Sequence, residues 1–120
     1  MERSTTIQQI AHTSKRTSLS VRALARQNRA YHNSGGVSAG NRGHGFCPAF
    51  LDEVTGIAYL SRFANGSAAP VHVLDGLPDE LVIRRNAHGS VTAVRTGVIA
   101  GFFRDGVFYT RKQAALALSH

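Results

Sequence analysis

Six basic side chains, Lys15, Arg16, Arg22, Arg26, Arg29 and Arg42, carry the strongest chemical signal in this chain. Guanidinium groups present planar donors that bind phosphate bidentately, and each neutralised phosphate releases condensed counterion. Arg22, Arg26 and Arg29 recur at i, i+4 and i+7, the spacing of one helix face. No Asp or Glu lies between Glu2 and Asp52, whereas from Phe46 onward seven Arg or Lys face six acids. Nearly all of the net charge of +7 therefore sits in the N-terminal third. A basic arm on a nearly neutral body points to a polyanion, and the six residues are the expected nucleic-acid-binding set. The charge alone selects neither DNA over RNA nor nucleic acid over an acidic protein partner.

Other chemistry is poorly served. His44, Cys47, His72 and His88 are zinc-ligand types, but zinc needs four converging ligands in close-spaced pairs, and only His44 and Cys47 are so spaced. A Cys47 nucleophile would need His72 as its base, with no Asn or Asp placed to orient the ring. Asp75, Asp79 and Glu80 surround a Gly/Pro turn, and turn chemistry accounts for them. The glycines from Gly35 to Gly45 follow a basic helix and precede a strand, which is not the strand, loop, helix order of a phosphate-binding loop. The expectation is a non-enzymatic protein with no catalytic residue, no metal and no cofactor.

The elements that position these groups divide the chain in two. Residues 1–44 form a basic arm with one helix at about 19–31, capped by Ser18 or Ser20, and a flexible glycine-rich linker over 33–45. Val21, Leu24, Ala25 and Tyr31 share one side of that helix with Asn28. Residues 45–120 form a compact β-rich domain with a C-terminal helix, so the expected class is α+β with an antiparallel sheet. Strands are expected at Phe46–Leu51, Gly56–Leu60, Val71–Leu74, Leu81–Arg85 and Ser90–Arg95. Asp105-Gly106 between two apolar runs is a type I′ hairpin signal that sets Arg104 opposite Val107, Phe103 opposite Phe108 and Phe102 opposite Tyr109. Thr110 and Gln113 fit a capping box that opens the last helix.

The run Gly-Phe-Phe-Arg-Asp-Gly-Val-Phe-Tyr-Thr-Arg-Lys-Gln-Ala from Gly101 to Ala114 resembles the hairpin-then-helix ending of small uncharacterised phage and plasmid proteins of bacteria. That resemblance implies a bacterial mobile-element origin and carries over no activity and no functional residue. The composition, 42% hydrophobic and 18% charged, is that of one soluble domain. With the arm set aside, a body of about 75 residues is marginal alone, so the arm, a second copy in a homodimer or another partner is expected to pack onto it. Aromatics on both faces of the last hairpin point the same way: the second face is covered, or it stacks on unpaired bases. No apolar run approaches the ~20 residues of a membrane span, and the start lacks the apolar region of a secretory signal. The first 34 residues also have the Arg/Ser/Thr-rich composition of a mitochondrial transit peptide. A single cysteine fits a reducing compartment, and cytoplasmic is the expected location.

Overall fold

The computed structural model describes residues 18–119. The chain is α+β. Helix α1 (Val21–Ala30) is followed by a short helix α2 (Ser38–Asn41) and a 3-10 turn at Arg42–His44. Six antiparallel strands come next: β1 (Cys47–Asp52), β2 (Ile57–Leu60), β3 (Val82–Arg85), β4 (Val91–Val94), β5 (Val98–Arg104) and β6 (Val107–Thr110). Helix α3 (Arg111–Ala117) closes the order. Strands β2, β1, β5 and β6 form a four-stranded sheet in that spatial order, and β3 and β4 form a separate ladder. Among the described residues no helix is long and apolar enough to cross a membrane.

Local chemistry explains the last third. Asp105 and Gly106 hold φ of 52° and 81°, as a type I′ turn requires, and the pairs Arg104–Val107, Phe103–Phe108 and Phe102–Tyr109 form in the expected register. The Thr110 hydroxyl accepts from the Gln113 N–H at 3.1 Å while the Gln113 side chain accepts from the Thr110 N–H at 2.8 Å, completing the capping box. The Asn86–Gly89 loop joins β3 to β4, with Gly89 at φ 87°.

Residues 71–74 do not form the expected strand. The Ser61 hydroxyl donates to the Val71 carbonyl at 2.8 Å and accepts from the Val73 N–H at 2.9 Å, so these backbone groups are satisfied by a side chain rather than by a neighbouring strand. The segment instead delivers Leu74 and Leu77 to the core and His72 to the sheet.

Alternation along the strands gives the four-stranded sheet two unlike faces. Phe50, Val98, Ala100 and Phe102 point to one face. There Phe50, Val98 and Ala100 pack with Leu19, Ala23 and Leu24 of the α1 region and Leu81, Val91 and Val94 of the ladder. Phe102 packs with Phe46 and with Ala114 of α3. The other face carries Cys47, Ala49, Leu51, Ala58, Leu60, Ile99, Phe103 and Phe108, and none of these belongs to either core cluster. At one end of the sheet Asp52, with no exposed surface, accepts from Arg95 at 2.8 Å and from the Val54 N–H at 3.0 Å. Burial opposes its charge, but those donors outweigh it and hold its carboxyl below the ordinary value.

Residues from Ser18 onward are packed on the body. The Leu19 carbonyl accepts from the Val94 N–H at 2.9 Å, and Ser20 bridges antiparallel to Ala93, so the chain entering α1 extends the β3–β4 ladder. Gly35 and Gly36, expected as linker, are buried where the chain runs against α3. A Cβ on Gly36 would lie 2.5 Å from the Tyr31 ring and 2.9 Å from the Arg111 carbonyl oxygen. These two glycines serve close approach rather than flexibility. A core that is small without α1 accounts for the packing, because burying Leu19, Ala23 and Leu24 adds apolar area that the sheet alone lacks.

Candidate functional site

Helix α1 starts where the Ser20 hydroxyl accepts from the Ala23 N–H at 3.1 Å and ends at its C-cap Tyr31, with Asn33 at φ 62°, a conformation Asn tolerates, in the turn that follows. Ala23 and Leu24 are its buried residues. Val21, Leu24, Ala25 and Asn28 share one side of the helix as expected, but Val21, 54% exposed, and Ala25 lie outside the core. With Leu24 and Asn28 they line a groove of about 340 Å³ against His72–Asp75 and Val91.

Arg22, Arg26 and Arg29 are all exposed. Their spacing lays them along about 10 Å of helix axis at 1.5 Å per residue. The structure therefore brings three of the six expected phosphate-binding residues onto one outward stripe. Lys15 and Arg16, and the side chain of Arg42, lie outside the described residues. Helix α1 has no acid in its first turn, and Arg29 in its last turn complements the helix dipole.

Behind the stripe lies a polar clasp that sequence patterning missed. Arg111, 3% exposed, donates from Nε to the Gln27 side-chain oxygen at 2.9 Å and from one terminal nitrogen to the Gly36 carbonyl at 2.9 Å. Its other terminal nitrogen reaches His72 Nδ1 at 3.2 Å. Arginine only donates, so Nδ1 accepts, the ring proton sits on Nε2, and Nε2 donates to the Gly101 carbonyl at 2.6 Å. The imidazole stands edge-on to Phe50 and Phe102, with centroids 5.4 and 5.1 Å away. Burial, with the Arg111 charge added, lowers its pKa to about 4. Burial also pushes Arg111 down to about 10, with Tyr31 pulling the other way, so the guanidinium remains charged at neutral pH. One residue of α3 thus fastens α1, the glycine segment and the sheet-facing His72 together. The partners are 84, 75 and 39 residues apart, and no local pattern reports such a contact.

The clasp also decides what His72 can do. Its Nδ1 lone pair is occupied by Arg111, and it sits on the helix-covered face, whereas Cys47 pairs with Phe103 on the opposite face. A Cys47–His72 dyad does not form. Among the described residues no group of three His, Cys, Asp or Glu converges on a common point. Asp75 accepts from the Val91 N–H at 2.7 Å, and Asp79 pairs with Arg85 at 3.0 Å, so both act in turn and ladder geometry. Arg104 lies over the rings of Phe46 and Tyr109 at 4.1 and 5.2 Å, on the helix-covered side and away from Phe103 and Phe108. No family model, curated protein or solved structure matches the chain.

Proposed function

We propose that this is a non-enzymatic nucleic-acid-associated accessory protein that holds phosphate backbone through Arg22, Arg26 and Arg29. The observation that carries the reading is the exposed stripe on a helix whose other side is anchored in the core. Leu19 and Ser20 tie the helix start to β4, and Gln27 ties its second half to Arg111. The guanidinium groups are therefore carried on an ordered backbone, and binding phosphate costs only side-chain ordering. The expected set extends to Lys15, Arg16 and Arg42.

A salt titration tests it. Three phosphate contacts on duplex DNA give a slope of log affinity against log salt of about −2.7, or about 40-fold weaker binding between roughly 50 and 200 mM salt. Replacing Arg22, Arg26 and Arg29 together by Gln preserves helix propensity and should flatten the slope by that amount. An unchanged slope in the triple variant refutes the assignment. Absence of nucleic-acid binding by the intact chain at low salt would favour the alternative, a phage- or plasmid-encoded inhibitor that docks on an acidic surface of a host enzyme.

A further inference from the structure

The groove beside the arginine stripe is longer than a single cavity. The space of about 340 Å³ between α1 and residues 71–75 adjoins a second of about 250 Å³, and the two share Asn28 and His72. From Val21 to His32 they run beside α1 for about 17 Å at 1.5 Å per residue. Leu24, Leu74 and Val91 are buried at the floor, whereas Val21 and Val71, 54% and 49% exposed, stand open to solvent. His72 adds ring surface only, because Nδ1 and Nε2 are committed to Arg111 and Gly101. Asp75 is the acid in the first cavity, engaged by the Val91 N–H, and His32 is exposed in the second. Cationic charge lies along one bank. At about 100° per residue Arg29 and Arg22 stand about 40° and about 60° round the helix from Ala25, on the side away from Leu24, with Arg26 about 100° round. All three are exposed, and α1 contains no acid.

We propose that this groove takes the bases of a single-stranded nucleic acid while Arg22 and Arg29 hold the phosphates that link them. The inference rests on the phosphate-binding reading of the stripe and adds the form of the strand. A nucleotide sets an anionic phosphate beside a flat, uncharged base, and the helix sets a cationic bank beside an apolar groove. Asn28, exposed and lining both cavities, supplies an amide that can donate to and accept from a base edge, and Ser90 supplies a hydroxyl. In a duplex the bases are stacked and paired, out of reach of the groove floor, so a duplex engages the arginines alone. An acidic peptide fits less well. Carboxylates entering the groove would meet Asp75, and a peptide helix about 10–12 Å across exceeds cavities of small-molecule size.

Fluorescence anisotropy of the full chain with labelled oligothymidylate, oligouridylate and a duplex, each about ten nucleotides long, tests it. At equal salt at least one single strand should bind about 5-fold or more tighter than the duplex, the least that one seated base contributes, and the stronger of the two identifies the sugar. Ala25→Phe fills the groove from an exposed helix position and should remove that advantage, leaving duplex binding and its salt slope as in the parent. Should this variant fail to fold, the parent chain supplies the readout: an oligonucleotide carrying thiothymidine should crosslink on irradiation to residues 71–75 or to Ser90 and Val91, the wall opposite α1. Equal affinity for single strands and duplex, an advantage that survives Ala25→Phe, or crosslinks confined to the arginine bank would overturn the groove assignment and leave phosphate binding standing. Binding of oligoglutamate that Ala25→Phe abolishes, with neither oligonucleotide form bound, would give the groove to an acidic protein and overturn both readings.

Discussion

Lowering the pH from 7 to 5 should weaken the fold through His72. The folded pKa of about 4 lies below the ordinary 6.5 because the ring is desolvated and faces the Arg111 charge. Above pH 6.5 the imidazole is neutral in both folded and unfolded chains, and its contribution to stability is fully present. As pH falls through the window from 6.5 to 4, the unfolded chain takes up a proton that the folded chain refuses, and stability drops. The full gap corresponds to about 3 kcal/mol, of which about 2 kcal/mol is lost by pH 5. Geometry supports the sign independently. A protonated ring would aim an Nδ1–H at a guanidinium nitrogen 3.2 Å away, two donors with no acceptor between them. Asp52, whose folded pKa is also depressed, acts lower, since its contribution is present above 3.8 and is lost as pH falls through its folded value. Urea denaturation at pH 7.5, 6 and 5 therefore isolates His72. His72→Phe keeps ring contacts with Phe50 and Phe102 but cannot titrate, so its stability should vary less across this range by about 2 kcal/mol. Equal slopes for the two proteins, or a parent whose stability does not change between pH 7.5 and 5, would refute the assigned tautomer and burial.

Arg111→Lys should destabilise by about 2 to 4 kcal/mol, because one ammonium cannot reproduce the fork that reaches Gln27, Gly36 and His72 at once. Hydrogen exchange should then report early loss of protection in α1. Gly36→Ala should cost about 1 to 3 kcal/mol in a denaturant melt, because the added methyl meets the Tyr31 ring and the Arg111 backbone. A neutral effect would restore the flexible-linker expectation for that position.

Short-range chemistry made part of this protein legible in its sequence. Asp105-Gly106 dictates a turn with two positive φ values, and that turn alone fixes which of Phe102, Phe103, Phe108 and Tyr109 face one another. Thr110 and Gln113 announce the start of α3, and the spacing of Arg22, Arg26 and Arg29 places them on one helix face, because each signal needs only neighbours within four residues. The tertiary structure decided the rest. Whether α1 hangs free or packs depends on Leu19, Ala23 and Leu24 meeting Phe50 and Val94, and on Gln27 finding Arg111. A glycine run reads as a linker until another backbone occupies the space beside it, as α3 does beside Gly35 and Gly36. Period-two alternation separates Phe102 from Phe103 without saying which face the helices will cover, and only the packed fold buries the first completely and leaves the second half-buried on the other face.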